Sequence, residues 1–188
     1  MALTNIKDVD LKILSDLDDR DLLNFCKNKN KYVYKICSNE IFWKDRFYTK
    51  YGIFEKSSER TWKNFYLKII YYNDRFTSPD TIIYNLTKEG SKNIDLINFF
   101  IEKGATDLDS GLFAAAFFGD ETLVNFYIQK GANDLQLGLR GAVQGGQKKF
   151  IDFFIQQGAI IDLEITIFAE DFADKNIIRY LLKKRNGF

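Results

Sequence analysis

LINFFIEKGATD, residues 96–107, returns twenty-seven residues later as LVNFYIQKGAND and again, another twenty-seven on, as FIDFFIQQGAII from Phe150. At that pitch the copies align into columns. Leu96, Leu123, Phe150 and Ile177 share one column, Phe99, Phe126, Phe153 and Tyr180 the next, and Ile101, Ile128, Ile155 and Leu182 a third. Within a copy the apolar residues fall at i, i+1, i+3, i+4 and i+5, which is wider than the single stripe of a surface helix. Such a helix is expected to be covered on two sides. Gly104, Gly131 and Gly158 close the copies, and glycine suits a left-handed helix stop because it has no Cβ to clash.

Ahead of each copy lies a second helical stretch with Ala115, Ala142 and Ala169 in register, followed by a turn at Gly119-Asp120, Gly146-Gln147 and Ala173-Asp174. Small residues in one column let two helices approach closely. The unit reads as helix, tight turn, helix, short loop. A lone hairpin of this size cannot hide its apolar faces, but stacked copies can. An incomplete copy opens with Ser78 as N-cap and Pro79 at the first helical position and stops at Gly90. The last copy ends in Lys183, Lys184 and Arg185, cations that suit a helix C-terminus and a polar terminal cap. Four helix pairs are expected over residues 78–188.

The alanine-bearing first helix, the G-D or G-Q turn and the G-A ending of the second helix resemble the ankyrin repeat. The spacing is compact, at twenty-seven residues against about 33 for that repeat, with no room for a projecting finger and no T-P-L-H entry motif. It is similar to the finger-poor arrays of large DNA viruses of protists. The resemblance implies a protein-binding array.

Residues 1–77 read differently. Val9, Leu11, Ile13, Leu14 and Leu17 make a short amphipathic stretch, and Asp18 or Asp19 caps a helix carrying Leu22, Leu23, Phe25 and Cys26. Ser38 or Asn39 opens a further helix that Gly52 stops, with Ile41, Phe42, Phe47 and Tyr48 on its buried side and Trp43 beside them. A long aromatic helix through Trp62, Phe65, Tyr66, Ile69 and Ile70 follows. Ile13-Leu14, Leu17, Asp18 to Asp21 ahead of Leu22-Leu23, and Trp43 followed by basic residues resemble an F-box, over about residues 7–51. Asn5-Ile6 stands where that motif opens with Leu-Pro. The resemblance implies docking on a Skp-type adaptor of a cullin–RING ubiquitin ligase through Val9, Ile13, Leu14, Leu17, Leu22 and Leu23. The other reading is that these helices only cap the array.

Composition removes whole classes of chemistry. The 188-residue chain has no histidine, which excludes Ser-His-Asp and Cys-His pairs and histidine general bases. Cys26 and Cys37 cannot form a four-thiolate zinc site, and without CxxC spacing they read as small buried hydrophobes of a reducing compartment. No metal, no cofactor and no catalytic residue is expected. No apolar run reaches the ~20 residues of a membrane span, and no signal peptide is visible, which places the protein in the cytoplasm or nucleus, a host cell's included. Net charge is +1, but residues 27–75 carry twelve Lys/Arg against five Asp/Glu. These cations fall at solvent-face spacing with no nucleic-acid-binding signature, so the expected partners are proteins and the expected state is a monomer.

Columns free to vary between copies are the candidates for a target-binding surface. Phe113, Arg140 and Ile167 form one, and Phe117, Gln144 and Asp171 another, both on the first helix of each pair. The other reading is that phenylalanines at i and i+4 are core and that the polar members are merely solvated. The fold expected is all-α, a small helical unit followed by a solenoid of helix pairs.

Overall fold

The computed structural model describes residues 7–56 and 60–186, with side chains from Asp10 onward in the first helix. All regular structure among the described residues is helical, so the chain is all-α. Contacts divide it into two units that meet between Arg75 and Phe76.

The first unit holds α1 (Lys7–Ser15), α2 (Asp19–Cys26), α3 (Lys31–Cys37), α4 (Glu40–Tyr51) and α5 (Trp62–Arg75). Asp18 caps α2 by accepting from the Asp21 N–H, and Asn39 caps α4 by accepting from Ile41 and Phe42. Each of these bonds satisfies a donor that a helix start leaves orphaned. Helix α3 was not foreseen. Asn30 caps it through the Tyr32 N–H, and Val33, Ile36 and Cys37 supply its buried side. Trp43 is fully buried, and its indole N–H donates to the Cys37 carbonyl at 2.9 Å. Phe47 lies among the rings of Tyr51, Phe54, Trp62 and Phe65, with centroids 5.3–6.1 Å away. Each such pair contributes about 0.5–1.5 kcal/mol beyond the area it buries, so this cluster ties α4 to α5.

The expectations for Ile41 and for the two cysteines fail. Ile41 is 71 % exposed and faces a cleft instead of the core. Cys26 and Cys37 are joined in a disulfide with Cα atoms 5.7 Å apart, so they do not stand as separate buried thiols. The α2–α3 hairpin brings the two helix ends within bridging reach, and a spacing of eleven residues carries no motif that announces it.

The second unit is a row of four helix pairs. They are α6 (Pro79–Lys88) with α7 (Ile94–Glu102), α8 (Leu108–Phe118) with α9 (Glu121–Lys130), α10 (Leu135–Gln144) with α11 (Lys148–Gln156), and α12 (Leu163–Phe172) with α13 (Lys175–Arg185). The second helices begin at 94, 121, 148 and 175, reproducing the spacing of the repeated phrase. Gly104, Gly131 and Gly158 take φ of 102°, 107° and 111°, as a left-handed stop requires. The first helices lie side by side in the order α6, α8, α10, α12, each pairing with the helix that follows it.

Two columns of the second helices stand out in the core of the array. Leu96, Leu123, Phe150 and Ile177 are buried as expected. The deeper ring column is Phe100, Tyr127, Phe154 and Leu181, all at most 2 % exposed, whereas Phe126, Phe153 and Tyr180 of the neighbouring column are only half-buried. Glycine makes room for these rings. A Cβ on Gly111 would come 2.4 Å from the Tyr127 ring, and one on Gly138 would come 2.5 Å from that of Phe154. In the last pair the corresponding positions hold Ile165 and Leu181, aliphatic in place of both the glycine and the ring.

Candidate functional site: the first-helix surface and the N-terminal cleft

What positions the surface of the array is the approach of α10 to α8. A Cβ on Gly141 would lie 2.3 Å from the Phe113 carbonyl oxygen, and one on Gly145 would lie 2.0 Å from that of Phe117. Only residues without side chains permit this contact. Loops are then pinned across pairs by side-chain acceptors. Asp80 Oδ1 accepts from the N–H groups of Thr106 and Asp107 at 2.6 and 2.8 Å. Asp109 Oδ1 does the same for Asn133 and Asp134 at 2.8 and 3.0 Å. Gln136 accepts from the Ile160 N–H at 3.1 Å and donates to its carbonyl at 2.9 Å. A charged acceptor with two backbone donors contributes more than a neutral bond, so the pairs hold one another in register.

On this frame the two variable columns run across α8, α10 and α12. Phe113 and Phe117 are half-buried and stack on each other, with centroids 6.5 Å apart and planes 21° apart. Arg140 is half-buried, pairs with Glu164, and holds its guanidinium 5.9 Å from the Phe168 ring. Gln144 is half-buried, Asp171 is exposed, and Ile167 is 52 % exposed. The columns thus border the seams between neighbouring pairs, which explains the partial burial of the two phenylalanines. Sequence reasoning missed Leu163, which is 66 % exposed. Its signal was available, because the same column reads Asp109, Gln136, Leu163.

In the first unit the six expected docking positions separate. Leu14 and Leu22 are 0 % and 1 % exposed. They are core residues, which corrects their assignment as contact residues, since a side chain without surface cannot touch a partner. Ile13, Leu17 and Leu23 are half-buried and keep accessible surface. Val9 falls outside the described side chains.

The end of α1 is held by a residue the sequence did not flag. Arg46 donates from Nη1 to the Ser15 carbonyl at 3.0 Å and from Nη2 to the Leu17 carbonyl at 2.7 Å. Nη2 also reaches Asp19 Oδ1 at 2.8 Å, and Nε donates to the Tyr66 hydroxyl oxygen at 3.1 Å. A planar five-donor fork suits such a convergence of acceptors. Lys50 and the Tyr66 hydroxyl also donate to Asp19, at 2.5 and 2.7 Å. Burial alone would raise the Asp19 pKa, but the hydrogen bonds from Lys50, Arg46 and Tyr66 outweigh it and hold the carboxyl below its ordinary value. Burial, with the bond to Asp19, pushes the Tyr66 phenol up to about 12. Beside this cluster opens a cleft of about 660 Å³, with Leu11, Ile41 and Phe42 on its apolar side and Asp16, Asp45 and Lys50 on its polar side.

No helix among the described residues is long and apolar enough to cross a membrane. Among the described residues no group of three or more Cys, Asp or Glu is placed to hold a metal ion. No protein family, no characterised protein and no solved structure matches this chain.

Proposed function

We propose that this protein is a non-catalytic interaction adaptor. The helix-pair array holds a target protein along the surface of its first helices, and the N-terminal unit docks on a Skp-type adaptor of a ubiquitin ligase. One observation carries the reading. The first helices lie side by side, with loops pinned by Asp80, Asp109 and Gln136, and they carry Phe113, Phe117, Arg140, Gln144, Ile167 and Asp171 in two columns that each keep accessible surface. Preorganised strips with aromatic and arginine anchors are what protein partners bind with least ordering cost. Rate effects in such an adaptor come from the local concentration of the target near a charged enzyme elsewhere in the complex.

The docking half rests on Ile13, Leu17 and Leu23, with Leu14 and Leu22 shaping the unit from inside. Capture on an immobilised Skp-type adaptor tests it. Retention that is lost in Leu17→Asp and Leu23→Asp, with tryptophan fluorescence unchanged, supports docking. Failure of the intact chain to bind rejects it. The second reading is a stand-alone binding protein, favoured by Arg46, which spends the end of α1 and the Leu17 carbonyl on internal structure. On that reading the array still captures its target while the N-terminal unit ignores the adaptor.

A further inference from the structure

Each of the first three helix pairs is covered by the pair that follows, and among the described residues no further pair lies on α12–α13. The column Leu112, Leu139 is fully buried and continues as half-buried Thr166, while Ala116, Val143 is buried and continues as exposed Glu170. On the second helices Ile97, Val124 and Ile151 are buried, and Ile178 is half-buried. An end face made for water would gain polarity at every position. This one goes the other way at 163, where Asp109 and Gln136, which anchor the next loop, give way to Leu163 at 66 % exposure. Leu182 adds an exposure of 40 %. A fifth pair of the same kind would lack its anchor at position 163 and would meet Glu170 where Ala116 and Val143 are packed. The apolar remainder is therefore shaped for a different cover.

Charge identifies that cover. Helix α12 carries Glu164, Glu170 and Asp171 and no cation. Its neighbour α13 carries Lys175, Arg179, Lys183, Lys184 and Arg185 and no acid. Glu164 and Lys184 are engaged within the array, with Arg140 and Asp152 respectively. The two helices run antiparallel, with Arg185 at the end of α13 donating to the Thr166 hydroxyl near the start of α12. We infer that this α12–α13 face binds the same face of a second copy of the chain, about a two-fold axis parallel to the two helices.

The choice of axis follows from the charges. An axis perpendicular to the helices would stack α12 on α12 and α13 on α13, acid on acid and base on base. The parallel axis lays each α12 on the partner copy's α13 and keeps the turn ends together. Glu170, near the end of α12, then meets the level of Lys175 at the start of α13, and Leu163 meets that of Leu182 at the other end. A self-complementary patch of this kind closes as a dimer and leaves no end for further growth.

The test is the mass of the full chain by analytical ultracentrifugation at low salt, from about 1 μM to about 1 mM, the range of modest protein affinities. The expected result is a rise from 22.0 kDa toward twice that value and no further. Glu170→Lys alone and Lys175→Glu alone each weaken association by roughly tenfold or more, since like charges then face each other twice. Mixing the two variants restores it, and so does the double variant in one chain, because both arrangements bring opposite charges together again. Both positions are exposed, and an unchanged circular dichroism spectrum shows that folding is intact. A chain that stays at monomer mass throughout overturns the inference. So does a dimer indifferent to both substitutions, or a mass that grows past the dimer.

Discussion

Replacing Gly141 with alanine puts a methyl group 2.3 Å from the Phe113 carbonyl oxygen and 3.0 Å from its carbon, both backbone atoms of α8. Ordinary close contact between such a carbon and oxygen lies at about 3.3 Å or more, so the two helices must separate by about 1 Å. Side-chain rearrangement cannot absorb the shift, because Leu112, Ala115, Leu139 and Ala142 on the same two helices are fully buried. A gap of that size forfeits a quarter to a half of each dispersion contact along the seam. Overpacking of this kind costs about 1–3 kcal/mol and more where backbone is the obstacle. Alanine in mid-helix returns about 1 kcal/mol through propensity. Because the obstacle is backbone, the upper end of that range applies, and the net expectation is a loss of about 2 kcal/mol in the array. Urea unfolding read by two probes measures it. Trp43 and Trp62 are the chain's two tryptophans and both belong to the first unit, so fluorescence follows that unit while far-UV circular dichroism follows mainly the array. Gly141→Ala should lower the circular-dichroism midpoint and leave the fluorescence midpoint in place. Gly104→Ala, with φ 102° and nothing within 4 Å of its Cβ, should cost only about 1 kcal/mol of backbone strain. A neutral or stabilising Gly141→Ala would refute the close approach of α8 and α10.

Arg46→Ala leaves Asp19 without its guanidinium partner and the end of α1 without its donors. It should cost the first unit about 3–5 kcal/mol in the fluorescence transition, and Arg46→Lys should recover less than half, since an ammonium cannot reproduce the fork. Because the folded Asp19 carboxyl titrates below the ordinary 3.8, its stabilisation is complete above that pH and is lost as pH falls through the folded value. An acid titration of tryptophan fluorescence should therefore show a shallower acid limb in Asp19→Asn than in the parent chain. Asp109→Ala removes the shared acceptor of two backbone N–H groups and should destabilise the array by about 1–3 kcal/mol. Asp109→Asn keeps an acceptor and should lose less on the same circular-dichroism measurement.

The array was legible because its repetition is written in residue types with a local physical effect. Asp107, Asp134 and Asp162 cap the first helices of the last three pairs, and the turn and stop glycines need no tertiary context to be read. What stayed hidden depends on which residues meet across pairs. Gly111 and Gly138 look like helix weakeners until Tyr127 and Phe154 are found lying on them. GAVQG, residues 141–145, marks a close helix contact only when α8 is known to be its neighbour. In the first unit the leucine spacing foretold helices but not which leucines face inward, so Leu14 and Leu22 were assigned to the surface. Arg46 sits on a helix otherwise read for its aromatics, and its acceptors lie some thirty residues away in sequence. The tyrosines of KYVYKIC obscured α3, and with it the hairpin that joins Cys26 to Cys37.

The central claim is that the helix pairs stand in a row, each touching only its neighbours. Glu102, Gln129, Gln156 and Lys183 occupy one exposed column on the four second helices, which makes them suitable for spin labels. With neighbouring helices spaced by about 10 Å, electron–electron distances should lengthen from the 102–156 pair to the 102–183 pair by about one helix spacing. The 129–183 distance should match the 102–156 distance. A 102–183 distance no longer than 102–156 would mean that the helices close around a centre, and the reading of this chain as an open stack would be wrong.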